Sequence, residues 1–199
     1  MTLTQQLQNK DLILGSQSPR RKALMEETGL PFRVMTLPVE ETFSKEQSPA
    51  DVAIYLSRQK AQPFKKILQP HSIVVTADTI VVKDHQILNK ASDSRQAFEM
   101  LKLLNATHHQ VITGVCITSL KHQQWFAETT IVHFAQLTND EIQYYIDHYQ
   151  PFDKAGAYGI QEWIGSIAVE KIEGSYHNVV GLPIARLYKS LKNFLTEHP

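Results

Sequence analysis

The sequence predicts an α/β fold with a mixed, twisted sheet. Short apolar runs alternate with helical segments over residues 11–104, an order that favours parallel strand pairing. Two long strand-like segments, near 109–120 and 125–136, then follow each other across a polar turn, which favours antiparallel pairing. Both kinds of pairing are therefore expected in one sheet.

Start and stop signals define the first elements. Polar residues 1–10 predict a loose tail, and residues 12–14 a short buried strand. Ser18-Pro19 predicts a helix start, because serine accepts hydrogen bonds from free backbone N–H groups and proline fits the first helical position. Gly29 predicts the end of that helix.

The middle of the chain continues this alternation. Residues 32–35 predict a strand, and a Ser-Pro pair at 48–49 starts a helix. The β-branched run at 73–75 predicts a buried strand that runs into 77–79, and residues 79–82 and 86–88 predict the two strands of a hairpin. A hairpin should turn at 84–85.

The second half carries clear helix signals and one irregular stretch. Residues 93–104 predict a helix with one apolar face, and a capping box at 138–141 predicts the start of another. Glycine and proline in 151–165 predict a functional loop or an irregular stretch. A strand near 166–172 and a last helix from Pro183 complete the chain.

Size and charge exclude several classes of protein. A length of 199 residues fits one domain, expected over 11–199, with a single core that is either undivided or two-lobed. Twenty basic and 20 acidic residues give no net charge, which argues against a nucleic-acid-binding surface. No apolar run is long enough to span a membrane, and the N terminus lacks the features of a secretory signal. With Cys116 as the one cysteine, a cytoplasmic protein is expected.

The segment 16–21, Ser-Gln-Ser-Pro-Arg-Arg, is the first candidate site. A strand end leading into a helix N terminus exposes N–H groups that bind anions, and Arg20 and Arg21 add donors for phosphate oxygens. A capped helix with two solvated arginines explains the same residues, so the segment alone does not decide.

Carboxylates form the second candidate. Asp78 is expected at the end of a strand, where open α/β sheets bind ligands and an acid can hold a metal or orient water. Glu40 and Glu41 add two more acids. The alternatives are a turn aspartate and two solvated glutamates.

Lysines and a glycine-rich loop form the third candidate. Lys60, Lys90 and Lys154 each lie near a predicted element end, although single lysines are usually surface charges. The loop 153–161 has small residues that let backbone approach a ligand, and its Gln161 can bond a base. A plain glycine-rich connector is the alternative.

Together these stretches resemble the Maf family of nucleoside triphosphate pyrophosphatases, in motif order and across nearly the whole chain. The anchors are 16–21, 40–41, 59–61, 77–79, Lys90, 153–161, 174–176 and 180–183. The resemblance implies an elongated, two-lobed α/β molecule with a central cleft, similar to inosine triphosphate pyrophosphatases. It also implies hydrolysis of a triphosphate to a monophosphate and pyrophosphate, with water attacking the α-phosphorus and Mg²⁺ or Mn²⁺ as cofactor.

The resemblance also implies roles for residues. Asp78 corresponds to the catalytic acid, and it joins the two adjacent glutamates as a metal ligand. The substrate would be bound by Ser18, Arg20, Lys60, Thr79, Lys90, Lys154 and Gln161. No nucleic acid or membrane partner is implied, and a homodimer is compatible with the family.

Three positions point to one branch of the family. Arg20, Thr79 and Gln161 match the branch that prefers dTTP and UTP, whereas the branch that prefers 7-methyl-GTP tends to have tryptophan, glutamine and glutamate there. Two departures stand out: alanine follows Lys90 in place of proline, and Glu162-Trp163 follows where glycine is usual. The 7-methyl-GTP branch, a non-enzymatic regulator of septum formation and a nucleic-acid-binding module are the rival functions.

Overall fold

The computed structural model describes residues 2–40, 42–43 and 47–198 and confirms the mixed α/β class. Strand β1 pairs in parallel with β2 and β3, whereas β4 runs antiparallel to β3 and β7 antiparallel to β6. The sheet order is β2-β1-β3-β5-β6-β7. The strands are β1 (Asp11–Leu14), β2 (Arg33–Val34), β3 (Ser72–Lys83), β4 (Gln86–Leu88), β5 (His108–Thr118), β6 (Gln123–Phe134) and β7 (Val169–Glu173).

Three helices, α2, α3 and α5, begin where capping residues predict them. Ser18, Ser48 and Thr138 each accept a backbone N–H of the following helix, and Gly29 follows α2 with a φ of 64°. The helices are α1 (Leu3–Gln6), α2 (Pro19–Glu27), α3 (Pro49–Ala61), α4 (Ser94–Leu104), α5 (Asn139–Tyr149), α6 (Trp163–Ala168), α7 (Tyr176–Val180) and α8 (Ile184–Glu197). Short 3-10 turns occupy Gln62–Lys66 and Pro151–Asp153.

The chain forms two compact units. The first contains Met1–Asp78, Thr113–Glu128 and Gly181–Pro199, and the second contains Thr79–Ile112 and Thr129–Val180. In the first unit, Leu3 and Leu7 beside α1 are almost fully buried, so the predicted loose tail is in part a packed helical turn. The reason is its capping box at Thr2, which the apolar pattern alone does not reveal.

Two other expectations are wrong in detail. Strand β3 does not end at Asp78 but runs on to Lys83. The predicted hairpin with β4 is present, and it turns at Asp84 and His85, both with positive φ. Residues 166–172 are not one strand, because α6 extends to Ala168 before β7 begins. Ile164 and Ala168, four positions apart, bury one face of this helix.

Candidate functional site

Asp78 and Lys60 form an ion pair inside the first unit. Lys60 Nζ donates to Asp78 Oδ1, and the side chains are 20% and 13% exposed. The carboxylate and the ammonium are therefore brought together from two of the sequence-predicted motifs. A partly buried pair of opposite charges fixes both side chains and keeps a negative and a positive group available at one point.

The local fold explains why these two side chains meet. Thr76, fully buried in β3, donates its hydroxyl to the carbonyl of Ser57 in α3 at 2.7 Å. Lys60 lies three residues after Ser57, on the same face of the helix. Asp78 lies two residues after Thr76, on the same face of the strand. The hydrogen bond from the Thr76 hydroxyl thus fixes how α3 lies against β3. This arrangement places Lys60 beside Asp78.

The segment 16–21 caps α2 as predicted. Ser18 accepts the N–H of Arg21 at 3.4 Å, and its own N–H donates to the hydroxyl of Ser16 at 3.2 Å. Arg20 is half-buried in the first turn of the same helix. Ser18 and Arg20 therefore lie at a helix N terminus, where an anion is stabilised by the helix dipole.

Arg21 has a different role from the one expected of it. Its Nε donates to the carbonyl of Gly181 and its Nη1 to the carbonyl of Ala77, both at 2.8 Å. The planar guanidinium thus uses Nε and Nη1 to bond two backbone carbonyls, and the carbonyl of Ala77 lies directly before Asp78. These two donors are not directed at a phosphate. The adjacent arginines in 20–21 gave no sign of this difference, because both bonds depend on long-range contacts.

We expect Arg21→Lys to lower kcat about ten-fold, because a lysine ammonium lacks the rigid planar fork that bonds the two carbonyls, and Ala77 sets the backbone of Asp78. The KM for the substrate should change less than about three-fold. Arg186→Lys is the matched control, since Arg186 also donates to a backbone carbonyl, that of Ala127, at 2.6 Å. Equal losses in the two variants would contradict a special role for Arg21.

The second unit holds the loop 153–161. Lys90 forms an antiparallel bridge with Ala155, and the N–H of Gly156 donates to the carbonyls of Leu88 and Asn89 at 3.1 and 3.2 Å. The structure therefore brings the Lys90 backbone alongside the loop that carries Lys154. The Lys90 side chain is exposed, and the alanine after it is buried.

Lys154 is buried in this loop and held by two carboxylates. Its Nζ lies 2.6 Å from Asp153 Oδ1 and 2.9 Å from Glu162 Oε1. Glu162 also accepts the hydroxyl of Tyr145, whose oxygen accepts the N–H of Gly159 at 3.0 Å. Burial and this bond to a carboxylate raise the pKa of Tyr145 well above its usual range, so the phenol remains a donor.

Thr79 and Gln161 also belong to the second unit. Thr79 is half-buried and follows Asp78 in β3, so the two side chains point to opposite faces of the strand. Gln161 is exposed at the end of the loop. Its side chain is therefore accessible for hydrogen bonding.

A buried aromatic cluster supports the same loop. Tyr158 OH and His109 Nε2 are 2.8 Å apart, and both rings pack edge-on against Phe134. Burial lowers the pKa of His109 to about 3, because charging the ring inside this cluster costs its hydration. Burial also raises the pKa of Tyr158. The partners of His109 lie 25 and 49 positions along the chain, so no local pattern in the sequence predicts this supporting role.

The depressed pKa of His109 predicts a specific acid sensitivity. Between pH 6.5 and 3 the unfolded chain binds a proton there that the folded chain does not, so stability falls as the pH falls. The loss from this group should be about 2 kcal/mol at pH 5 relative to pH 7.5. Denaturant unfolding of wild type and His109→Gln checks this: the variant should lose about 2 kcal/mol less, and equal losses would contradict it.

Of the three acids predicted to bind a metal, the structure describes two. Glu40 is exposed, Glu41 lies outside the described residues, and Asp78 is 9% exposed. In the part of the chain that is described, no three acidic, histidine or cysteine residues cluster as a metal cage. Mg²⁺ is commonly held by one or two carboxylates together with substrate phosphates, and a carboxylate such as Asp78 fits that arrangement.

Among the described helices, none is both long enough and apolar enough to cross a membrane.

In comparisons with known protein families, residues 11–194 of this chain match the family described as Maf-like protein. A dTTP/UTP pyrophosphatase of Bacteroides fragilis strain YCH46 is 48% identical over 91% of this chain and 94% of its own. Enzymes of the same name are 47% identical in Bacteroides thetaiotaomicron, over 94% of this chain and 97% of theirs, and 42% identical in Christiangramia forsetii, over 97% and 98%.

The solved structures that match are more distant. A dITP/XTP pyrophosphatase from Mycobacterium abscessus is 11% identical at a TM-score of 0.43, over 94% of this chain and 96% of its own. The Ham1 protein of Staphylococcus aureus is 15% identical at a TM-score of 0.42, over 63% and 72%.

Proposed function

The chain belongs to the Maf-like protein family, and on that basis we propose that it hydrolyses dTTP and UTP to the monophosphate and pyrophosphate. The observation that carries the proposal is 47–48% identity, over 91% and 94% of the chain, to relatives named dTTP/UTP pyrophosphatase. Modified pyrimidine nucleotides are further substrates under this proposal. The proposed setting is the cytoplasm, in a house-cleaning role.

Cations bind the triphosphate in this proposal. Arg20 and the N–H groups of the capped helix α2 supply one set of donors, with Ser18 beside them. Lys60, Lys90 and Lys154 supply point charges. Hydrolysis leaves negative charge on the departing pyrophosphate, and fixed cations that stabilise it contribute the largest share of catalysis.

Asp78 is the proposed catalytic acid. It acts by orienting the attacking water and by holding a divalent cation. Glu40 and Glu41 are the other proposed ligands. Mg²⁺ or Mn²⁺, when bound, neutralises phosphate oxygens and polarises the phosphorus that water attacks.

Thr79 and Gln161 are the proposed base-reading residues. A glutamine amide both donates and accepts, which matches O4 and N3–H of uracil or thymine. The exposure of Gln161 at the end of the loop supports this role.

A panel of nucleotides assayed for pyrophosphate release with Mg²⁺ tests the proposal. UTP and dTTP should have the highest kcat/KM. Faster turnover of 7-methyl-GTP would assign the chain to the other branch of the family. If no triphosphate is hydrolysed, and wild type and Asp78→Asn behave alike, a regulatory protein is the better description. Salt-dependent binding of DNA or RNA without hydrolysis would favour a nucleic-acid-binding module.

A further inference from the structure

The Glu162 carboxylate contacts two elements of the candidate site at once. Its Oε1 lies 2.9 Å from Lys154 Nζ, and its Oε2 accepts the hydroxyl of Tyr145. The Glu162 side chain is 24% exposed and that of Lys154 10%, so the pair is shielded from solvent. A charge-assisted contact in such a place is stronger and better fixed than a surface pair.

Helix capping does not explain this placement. Glu162 directly precedes α6 with an extended backbone, the position where a short polar side chain such as that of Ser or Asp commonly accepts an N–H group of the first turn. Its side chain makes no such bond. The carboxylate turns instead toward the loop 153–161, so its orientation needs a reason other than helix stability.

The contacts link Lys154 to the backbone of the loop. Tyr145, fully buried, accepts the N–H of Gly159 at 3.0 Å while its hydroxyl donates to Glu162. A Cβ at Gly159 would lie 2.8 Å from Glu162 Cδ and 3.0 Å from Lys154 Cε. The lysine–glutamate pair therefore packs directly on this backbone, two residues before Gln161.

The same contacts limit the directions open to the ammonium group. Lys154 has three N–H donors, and the carboxylates of Asp153 and Glu162 receive two. Asp153 is 62% exposed, so Glu162 is the better-fixed partner. One donor is left for a phosphate oxygen, and its direction follows from where Glu162 holds the group.

We propose that Glu162 is a positioning residue that couples the phosphate-binding lysine, Lys154, to the loop backbone that carries Gln161. It thereby links triphosphate binding to the choice of base. This inference rests on the proposed function. It predicts that removing the Glu162 charge weakens turnover and the preference for pyrimidines together.

Glu162→Gln is the first test. A glutamine has one acceptor oxygen for two donors, Lys154 and Tyr145, so one contact is lost while size is kept. We expect kcat/KM for UTP to fall about ten-fold, and the ratio of kcat/KM for UTP to that for GTP to fall by a similar factor. A purely structural role would lower Tm and the active fraction without changing that ratio.

Tyr145→Phe provides a second test, which also decides the matter if Glu162→Gln fails to fold. It removes one hydroxyl and keeps the Glu162–Lys154 pair, so the base preference should fall about ten-fold and kcat for UTP less than about three-fold.

Glu173→Gln is the matched control. Glu173 also joins a lysine, Lys171 at 2.9 Å, to a second partner, His133 at 2.8 Å, in the same unit. Its kcat/KM should stay within about two-fold of wild type. An unchanged UTP-to-GTP ratio in Glu162→Gln, or in Tyr145→Phe where the first variant does not fold, overturns this inference and leaves the proposed function intact. A wild type that hydrolyses no triphosphate refutes the proposed function, and this inference with it.

Discussion

Asp78→Asn is expected to lower kcat for UTP about 10³-fold while the protein stays folded. The change keeps the shape of the side chain and removes the charge that would orient water and hold a cation beside Lys60. KM should change far less, because the triphosphate is bound mainly by cations. Steady-state kinetics with UTP and Mg²⁺, with circular dichroism to verify folding, measure the effect.

Asp11→Asn is the matched control for this variant. Asp11 forms a carboxylate–guanidinium pair with Arg33 at 2.7 Å, in the same unit and on the neighbouring strand. Its loss should cost stability and leave kcat within about two-fold of wild type. A kcat for Asp78→Asn within about ten-fold of wild type would contradict the assignment of Asp78 as the catalytic acid.

Lys60→Met is expected to lower kcat/KM for UTP about 10²-fold. The change removes a proposed phosphate cation and also takes the ammonium partner from the buried carboxylate of Asp78. Lys22→Met, which breaks the exposed pair of Lys22 with Glu26, serves as control and should lose less than about two-fold.

The double variant of Lys60 and Asp78 measures whether the pair acts as a unit. Residues in direct contact are not additive, so the double variant should lose little more than Asp78→Asn alone. Losses that multiply would show that the two side chains act independently. That result would contradict the idea that the ion pair organises the site.

Local signals account for the part of the fold that sequence predicts well. Ser18, Ser48 and Thr138 cap their own helices through bonds three residues away, so short segments contain the whole cause. The hairpin at 84–85 is equally local. Asp78 is expected at a strand end, because aspartate is disfavoured within strands. It lies inside β3 instead, where the distant Lys60 stabilises its carboxylate.

Long-range contacts account for what sequence did not predict. Arg21 bonds carbonyls that lie 56 and 160 positions away, and no local pattern separates it from Arg20. Glu162 was visible as a departure from the family pattern, but its contacts with Lys154 and Tyr145 depend on how α5 packs beside the loop. The local sequence thus does not predict the partners of Arg21 and Glu162.

Hydrolysis of UTP in H₂¹⁸O, followed by ³¹P NMR and mass spectrometry, tests the central claim most directly. Water that attacks the α-phosphorus places ¹⁸O in UMP and leaves pyrophosphate unlabelled, and this result is predicted for wild type with Mg²⁺. Formation of UDP and phosphate, or label in the pyrophosphate, would mean that water attacks a different phosphorus and would contradict the account.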